Sequence, residues 1–334
     1  MKYSFVIPVY NRPQELQELL SSLASQRFAD FEVIVVEDGS SLPAKDVCDL
    51  FSGKLALNYF CKPNSGPGPS RNYGAERASG EYIIVLDSDC VLPPDYLVEV
   101  EKELQQAVSQ SVQIDAFGGP DRASSDFTPV QKAISYSMTS FFTTGGIRGG
   151  KHKMDKFYPR SFNMGVRREV WNRLSGFSPM RFGEDIDFSI RLYKANCVVR
   201  LFPEAWVWHK RRANFRQFYR QVFNSGIARI NLYKKYPASL KLVHTLPAAF
   251  VLGCLACLLL SLWHVWFVLP LVLYVLLLFF DALFRCRSLK VAVLAVVAAF
   301  VQLFGYGLGF LQAFVRRVLC KRDEYASFQK NFYK

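Results

Sequence analysis

The chain has 334 residues, of which 51% are hydrophobic and 21% are charged, and its net charge is +13. This composition excludes a disordered or low-complexity protein, and the length predicts roughly two folded units. Much of the positive charge lies in residues 210–241 and 316–322, which flank apolar segments, and no nucleic-acid-binding motif accompanies it. We therefore expect membrane lipids as partners and no nucleic acid.

The first 235 residues alternate between strand-like and helix-like segments, which is typical of a layered α/β fold. Short runs of branched and aromatic residues, apolar on both faces, predict buried parallel strands at Tyr3–Ile7, Glu32–Val36, Leu55–Cys61 and Tyr82–Leu86. Apolar residues at helical spacing predict helices after Pro13, over Pro69–Ala78 and over Pro94–Val108. Residues 109–150 have weaker periodicity and predict a strand with mobile loops.

Two carboxylates follow the strand Tyr82–Leu86. Asp87 and Asp89 are two positions apart and project to the same side. The carboxyl ends of strands form the ligand crevice of open α/β sheets. Because two buried like charges repel, a hard divalent cation with a diphosphate in its shell is the natural way to stabilise them. We predict a metal site here; the alternative is a helix N-cap.

Polar groups at two other places belong to the same predicted crevice. Asp38 follows the predicted strand Glu32–Val36, and the segment Pro8-Val9-Tyr10 ends the neighbouring strand. The carboxylate of Asp38 could accept hydrogen bonds from a base or a ribose, or it could merely shape the turn. Arg71 follows a loop rich in glycine and proline and opens a helix. Backbone N–H groups at a helix start together with an arginine suit a phosphate, although a plain loop fits the pattern nearly as well.

A third acidic cluster consists of Glu184, Asp185 and Asp187 at the predicted start of a helix. Acidic residues favour the helix dipole there, but three acids within four residues exceed what capping needs. A carboxylate beside an acceptor hydroxyl could act as a general base. His209 ends a later strand and could be a metal ligand if the crevice lies beside it, or simply a polar residue.

The ordered motifs resemble those of family 2 glycosyltransferases over about two-thirds of the chain. The matching segments are Phe5–Arg12, Val36–Ser40, Gly80–Asp89, Asn163–Arg168, Gly176-Phe177, Gly183–Asp185 and His209. The resemblance implies a GT-A fold, which is Rossmann-like, followed here by an α-helical membrane region. It also implies a nucleotide-sugar donor linked to UDP or GDP, a Mg²⁺ or Mn²⁺ ion and inversion at the anomeric carbon.

Carried over residue by residue, the resemblance implies specific roles. On the donor side it places Pro8, Val9, Tyr10, Asp38, Arg71, Asp87 and Ser88, with Asp38 at the base, Arg71 at the phosphates and Asp87 at the ribose. Asp89 holds the metal, with Asp87 and His209 as further ligands. Asp185 is the base, and Glu184, Asp187 and Asn163 lie on the acceptor side.

The composition changes abruptly after residue 235, so we expect a GT-A domain over 1–235 and a membrane region over 236–334. Hydrophobic helices are predicted at about 244–263, 265–284 and 290–315, with a basic cytoplasmic tail. The third run contains glutamines and a Gly305-x-Gly307-x-Gly309 row, so it spans, is re-entrant or interfacial, or packs on the other two through its glycines. The placement of positive charge predicts a multi-pass protein of the cell (inner) membrane with its catalytic domain on the cytoplasmic side.

Residues 212–233 predict an amphipathic helix with a row of arginines. It either lies in the headgroup plane and presents a lipid-linked acceptor, or packs between domains. Membrane-embedded polysaccharide synthases of the family have Gln-x-x-Arg-Trp, whereas this chain has Gln217-Phe218-Tyr219-Arg220-Gln221. We therefore expect transfer of one or a few sugars to a hydroxyl of a glycan or polyprenyl-linked acceptor in envelope or surface-polysaccharide synthesis. The alternatives are a polyprenyl-phosphate sugar synthase and a non-catalytic membrane scaffold.

Overall fold

The computed structural model describes residues 1–122, 127–144 and 156–323. The strands are β1 Tyr3–Val9, β2 Phe31–Asp38, β3 Leu57–Lys62, β4 Tyr82–Leu86, β5 Cys90–Val91, β6 Ala116–Gly118, β7 Asp121–Arg122, β8 Asn163–Arg167, β9 Val199–Leu201 and β10 Val207–His209. The helices are α1 Pro13–Ala24, α2 Lys45–Asp49, α3 Pro67–Ala75, α4 Tyr96–Ser109, α5 Pro129–Thr139, α6 Phe141–Thr144, α7 Arg168–Arg173, α8 Glu184–Lys194, α9 Phe215–Lys235, α10 Leu246–Ser261, α11 Leu269–Cys286 and α12 Leu289–Phe314.

The chain folds into two compact units, each built from two separate stretches. Of the described residues, 1–122 and 156–210 form the first unit, and 127–144 and 211–323 form the second. The amphipathic helix α9 therefore belongs with the C-terminal helices, whereas the sequence placed it with the sheet. The division falls at residue 210 rather than near 235, and the second unit also takes in α5 and α6.

The first unit contains a mixed sheet of strand order β3-β2-β1-β4-β8-β6-β9. The four predicted strands are present as β1 to β4 and pair in parallel. Strand β8 runs antiparallel to β4, with Asn163 opposite Leu86. The chain thus re-enters the sheet at the carboxyl end of β4, the end from which Asp87 and Asp89 project.

Helices cover both faces of this sheet. Successive residues of β1 point to opposite faces, so the strand contributes to a buried cluster on each side. Phe5 and Ile7 join one buried cluster with apolar residues of α1 and α4. Val6 joins a second cluster with residues of α3, α7 and α8. The helix predicted after Pro13 is confirmed as α1, whose buried side consists of Leu16, Leu19, Leu20, Ser22 and Leu23.

A second, smaller sheet has the order β5-β10-β7 and brings a late part of the chain to the crevice. Strand β10 pairs antiparallel with β5, and His209 lies opposite Cys90. Because Cys90 directly follows Asp89, this register sets His209 beside the carboxylates after β4.

The second unit contains helix α5 in a stretch for which the sequence pattern predicts mobile loops. Thr128 and Gln131 form a capping box at the start of α5, and Pro129 occupies its first turn. The strand expected in residues 109–150 is present as β6. Residues 145–150 of that stretch lie outside the described residues.

Helix α12 is the core of the second unit and packs against α5, α9, α10 and α11. Its buried side is built mainly from alanine and glycine, which allow neighbouring helices to approach closely. A Cβ on Gly309 would lie 2.1 Å from the carbonyl oxygen of Phe223 on α9, and one on Gly307 would lie 2.4 Å from the carbonyl oxygen of Pro247 on α10. The glycine row therefore packs against other helices of the unit, one of the expectations for the third run.

The apolar face of α9 is covered by protein within the second unit. Phe218 and Val222 are buried in a cluster with α5, α11 and α12. Arg216 and Arg220 remain exposed. This arrangement favours the packing role for the apolar face of α9 over burial of that face in lipid.

Two helical stretches among the described residues are long and apolar enough to cross a membrane, judged by length and composition. They are Val265–Cys286, with 22 residues, and Leu289–Leu319, with 31 residues. Helix α10 is also apolar but shorter. Trp263 and Trp266, between α10 and α11, are 80% and 75% exposed.

Candidate active site

The carboxylates of Asp87 and Asp89 lie just beyond the end of β4, as the sequence predicts. One oxygen of Asp89, Oδ2, is 2.5 Å from Arg12 Nη1, and Asp87 Oδ1 pairs with Arg71 Nη2. Ser88 between them is buried. Each carboxylate is thus oriented by an arginine through one of its oxygens.

His209 faces the second oxygens of the same two carboxylates. Its Nε2 atom is 3.2 Å from Asp89 Oδ1 and 3.9 Å from Asp87 Oδ2. The imidazole ring packs on Phe162 at a centroid distance of 4.9 Å. Burial alone lowers the pKa of His209, but the charge of Asp89, its hydrogen bond and the charge of Asp87 outweigh burial, so the net pKa is raised.

His209 and the two carboxylates offer donors of the kind that a divalent cation takes. His209 Nε2 lies within 4 Å of one oxygen of each carboxylate, and carboxylate oxygens with an imidazole nitrogen suit Mg²⁺ or Mn²⁺. His209 Nδ1 is buried without a hydrogen-bond partner in the described part of the chain, so the polar contacts of the ring are those of Nε2 with the carboxylates. Potential ligand atoms of Asp89, Cys90 and His209 lie within 4.8 Å of one another. Hard cations such as Mg²⁺ prefer oxygen to sulfur ligands, so the Cys90 thiol suits them less than the carboxylates do.

Arg71 joins the two acidic motifs. Its side chain is only 3% exposed, and Nη1 lies 3.2 Å from Glu184 Oε1 while Nη2 pairs with Asp87. A single buried guanidinium therefore holds the carboxylate after β4 and the acid at the start of α8 at one place. Direct contact of Arg71 with donor phosphates stays a prediction, since both of its terminal nitrogens have carboxylate partners here.

Glu184 and Asp185 begin helix α8, which follows Gly183 in the left-handed conformation at φ +80°. Asp185 Oδ1 accepts a hydrogen bond from the backbone nitrogen of Ile186 at 2.8 Å, and Oδ2 lies 2.7 Å from Arg160 Nε. Burial, followed by the charge of Asp185, raises the pKa of Glu184 to about 7. The two adjacent acids therefore differ in environment.

Asp38 braces the loop that leads into α3. Its carboxylate accepts hydrogen bonds from the backbone nitrogens of Ser65 at 2.9 Å and Gly66 at 2.8 Å, and it pairs with Lys62. The turn after Asp38 depends on Gly39, at φ +69°, where a Cβ would meet the Asn64 backbone nitrogen at 2.7 Å. The turn-shaping role is therefore present, and contact with a base stays a prediction.

The end of β1 lies beside the end of β2, so Pro8, Val9 and Tyr10 are close to Asp38 in the sheet. Pro8 is opposite Val36 and Val9 is opposite Glu37. Asn11, at φ +54°, accepts a hydrogen bond from the Leu42 backbone nitrogen and links the two strand-end loops. The structure thus places Pro8 and Val9 beside the end of β2, and their contact with a donor stays a prediction.

Two residues predicted on the acceptor side have internal partners. Asp187 is fully buried and pairs with Arg191 Nε at 2.9 Å. Asn163 accepts a hydrogen bond from the Tyr96 hydroxyl at 2.6 Å and donates to the Ala205 carbonyl at 2.8 Å. Both side chains therefore have internal bracing contacts, and their placement on the acceptor side stays a prediction.

Arg12 and Arg160 contact the acidic side chains of the site, although no role for either is predicted from the sequence. Arg12 ends the matching segment Phe5–Arg12, but its contact with Asp89 becomes visible only in the fold. For Arg160 the chain offers no local signal.

Comparison with known proteins decides the family. The family model for glycosyl transferase family 2 matches residues 4–171, half of the chain. The chain belongs to glycosyltransferase family 2. This agrees with the family that the sequence motifs resemble.

Named relatives of this family 2 glycosyltransferase match over short regions. A Staphylococcus aureus protein, poly(ribitol-phosphate) β-N-acetylglucosaminyltransferase TarS, is 40% identical over 93 residues, 27% of this chain and 16% of TarS. A Campylobacter jejuni protein, GalNAc(5)-diNAcBac-PP-undecaprenol β-1,3-glucosyltransferase, is 36% identical over 91 residues, 26% of this chain and 29% of that protein. The matches thus span less than a third of either relative.

Solved structures confirm the GT-A fold. Mannosyltransferase PcManGT from Pyrobaculum calidifontis, in complex with GDP-Man and Mn²⁺, has a TM-score of 0.64 at 15% identity and covers 90% of this chain and 87% of its own. Residues 1–349 of S. aureus TarS with UDP give a TM-score of 0.50 at 23% identity, covering 69% of this chain and 66% of that one. At these identities the likeness concerns the fold.

Proposed function

We propose that this family 2 glycosyltransferase transfers a sugar from a nucleotide-diphosphate donor to a hydroxyl of a glycan or polyprenyl-linked acceptor, with inversion. The observation that carries the proposal is the buried Arg71, which links Asp87 and Glu184. It joins a candidate metal and diphosphate site to the acidic motif in which Glu184 precedes the candidate base Asp185, and a single displacement needs both parts.

The donor is proposed to bind along the carboxyl ends of β1, β2 and β4. Related structures support a nucleotide-linked sugar, since TarS was solved with UDP and with UDP-GlcNAc, and PcManGT with GDP-Man. The residues proposed to contact the donor along that edge are Pro8, Val9, Tyr10, Asp38 and Ser88. Asp87 is proposed to contact the ribose and Arg71 the phosphates.

Asp87, Asp89 and His209 are proposed to hold Mg²⁺ or Mn²⁺. Such an ion supplies positive charge that stabilises the departing diphosphate. The Mn²⁺ in the PcManGT complex supports a divalent cation in this fold. Arg12, which contacts Asp89, keeps that carboxylate in place.

Asp185 is proposed as the general base. It takes the proton of the acceptor hydroxyl while the hydroxyl oxygen forms its bond to the anomeric carbon and the diphosphate leaves with the bonding electrons. Glu184, fixed by Arg71, is proposed to orient the acceptor beside it.

The second unit is proposed to anchor the enzyme in the inner membrane as a multi-pass protein, with the catalytic unit on the cytoplasmic side. Its two long apolar stretches and the exposed tryptophans between α10 and α11 support this placement. A membrane anchor agrees with a lipid-linked acceptor and with a role in envelope or surface-polysaccharide synthesis.

A polyprenyl-phosphate sugar synthase is the second candidate, supported by the exposed arginines of α9, which suit a lipid phosphate. An acceptor phosphate needs little base catalysis, whereas a hydroxyl needs much. A non-catalytic scaffold is disfavoured because the acids of both motifs are present and linked through Arg71.

The test is transfer from labelled UDP- and GDP-sugars to membrane extracts, with and without EDTA, by the wild type and by Asp185→Asn. We expect one donor to react, EDTA to abolish the reaction, and Asp185→Asn to lower turnover by about 10²–10⁴-fold with unchanged thermal unfolding. A variant that keeps normal turnover contradicts the base assignment. If Asp185→Asn loses all transfer to hydroxyl acceptors but still transfers the sugar to a polyprenyl phosphate, the result supports the second candidate.

A further inference from the structure

The two oxygens of Asp185 have different kinds of partner, a backbone nitrogen and an exposed side chain. Oδ1 is fixed by the backbone nitrogen of Ile186, which is part of helix α8. Oδ2 is covered by Arg160, whose side chain is 39% exposed and extends from the turn before β8. Arg160 is therefore the partner that can leave without unwinding a helix, and Oδ2 is the oxygen that its departure uncovers.

A guanidinium that leaves Asp185 needs another anion nearby. The carboxylates of Asp87, Asp89 and Glu184 are already paired with Arg71 or Arg12. Phosphate matches the planar, multi-donor geometry of arginine. The proposed donor carries two phosphates, and a polyprenyl-linked acceptor also carries phosphate.

We propose that Arg160 moves from Asp185 to a phosphate of an arriving substrate, so that the base is uncovered only when that substrate is bound. This inference rests on the proposed function, because it takes Asp185 as the base. Arg160 is then a phosphate ligand in the loaded enzyme and a positioning residue for Asp185 in the free enzyme.

The arrangement protects the donor from water if the arriving substrate is the acceptor. In hydrolysis, a water oxygen bonds to the anomeric carbon, the diphosphate leaves with the electron pair of the broken C–O bond, and Asp185 takes the water proton. An Asp185 covered by Arg160 is less accessible to that water. If the phosphate belongs to the donor instead, Arg160 moves when the donor binds and gives no such protection.

The first test measures binding by calorimetry, using the full chain in detergent at constant Mg²⁺. The probes are UDP, GDP and farnesyl phosphate, and the variants are Asp185→Asn, Arg160→Ala and their combination. We expect Asp185→Asn to bind one class of probe roughly fivefold more tightly because Arg160 is released, and Arg160→Ala to abolish this gain. Tighter binding of a nucleotide assigns the donor phosphates, and tighter binding of farnesyl phosphate assigns the acceptor.

The proposal is overturned if Asp185→Asn leaves all three affinities unchanged, or if the gain persists without Arg160. Arg27→Ala is the matched control, since Arg27 pairs with Asp95 at 2.8 Å on the surface after α1. This control should change none of the affinities. The binding cycle requires no turnover, so it tests Arg160 even if transfer is never found and the proposed function fails.

The second test measures donor hydrolysis without acceptor. If farnesyl phosphate is the probe assigned, Arg160→Ala should raise hydrolysis roughly fivefold and lower the ratio of transfer to hydrolysis. Arg160→Lys should restore much of the ratio, and adding Asp185→Asn should remove the excess hydrolysis. Excess hydrolysis that survives Asp185→Asn contradicts the role of Arg160 as a cover for the base.

Discussion

The carboxylates of Asp87, Asp89 and Asp185 are each held by an arginine, and the three arginines come from different elements. Arg12 comes from the end of β1, Arg71 from α3 and Arg160 from the turn before β8. Buried carboxylates need such partners because an unpaired buried charge is strongly destabilising. Because each arginine engages one side of its carboxylate, Asp87 and Asp89 turn their second oxygens toward His209.

The raised pKa of Glu184 makes stability depend on pH in a defined window. With a pKa near 7 in the folded chain and an ordinary value of 4.5, the folded state holds more protons than the unfolded state between these values. Stability from this group is therefore fully present below about pH 4.5 and falls as pH rises to about 7. Glu184→Gln cannot titrate, so it does not lose stability in this way. Measured in EDTA, the melting temperature of Glu184→Gln relative to that of the wild type should therefore rise as the pH increases from about 4.5 to about 7.

The control for this measurement is Glu169→Gln, because the Glu169 side chain is 82% exposed. Its melting temperature should follow the wild type at every pH. A constant offset between Glu184→Gln and the wild type from pH 4.5 to 8 would show that Glu184 does not titrate in this range.

Asp89 should be needed for cation binding. Asp89→Asn removes a charged oxygen donor and leaves Arg12 without its carboxylate, so we expect Mn²⁺ affinity to fall at least about tenfold, measured by calorimetry. Asp95→Asn, which alters a surface ion pair, should bind Mn²⁺ like the wild type. Equal affinities for Asp89→Asn and wild type would refute the metal site.

The acids of the crevice could be predicted from the sequence, whereas their partners could not. Asp87 and Asp89 follow an apolar strand, and Glu184 and Asp185 open a helix, so local patterns locate them. Arg71 is 113 residues from Glu184, and only the fold brings them together. Asn163 likewise meets Tyr96 across 67 residues, whereas Asp187 pairs with Arg191 one turn along its own helix.

In the second unit, a polar cluster ties the short helix α5 to the apolar helix α11. The Tyr136 hydroxyl donates to Asp281 Oδ2 at 2.6 Å, and the Ser140 hydroxyl donates to the same oxygen at 3.2 Å. Arg285 Nε donates to Asp281 Oδ1 at 2.9 Å. An acid in a helix this apolar is costly unless paired, so these contacts fix α5 at one position along α11.

Removing one member of this cluster should weaken the second unit. Tyr136→Phe deletes a hydrogen bond to a charged group, and we expect a loss of about 1.5–3 kcal/mol in the free energy of unfolding, seen as a lower melting temperature in detergent. Tyr233→Phe is the control, because the Tyr233 hydroxyl makes no hydrogen bond to a residue that the structure describes. If both variants melt alike, the cluster contributes nothing to stability.

The elements predicted correctly are those with strong periodicity, such as α1 and β4. Helix α5 was missed although Thr128, Pro129 and Gln131 form a recognisable start signal. Its apolar side is short, and neighbouring glycines favoured a loop. The burial of α5 depends on α11 and α12, which lie far along the chain.

The second unit as a whole presents basic residues that suit an anionic membrane surface. Reversing the charge of Arg216 and Arg220 should lower transfer to membrane acceptors more than donor hydrolysis, because only the former needs that surface. Lys45→Glu with Lys54→Glu, exposed on the first unit, makes the same change in net charge and serves as control. Equal loss of both activities in the Arg216 and Arg220 variant would contradict the idea.

For the complete chain, the sequence predicted the fold class and the presence of apolar C-terminal helices. It did not predict the antiparallel β8 or the assignment of α9 to the second unit. Both depend on the path of the chain after β7, which enters the second unit and then returns to the carboxyl end of β4. No local pattern encodes such a return.

This path has a consequence for how the protein is made. Helix α5 leaves the ribosome long before α9, α11 and α12, and at ordinary elongation rates its apolar side waits on the order of ten seconds for its cover. A chain cut after Lys210 keeps α5 but never receives that cover, leaving Ala133, Ile134 and Met138 open to aggregation. Soluble production of the catalytic unit therefore calls for excising residues 125–155 together with the C-terminal helices.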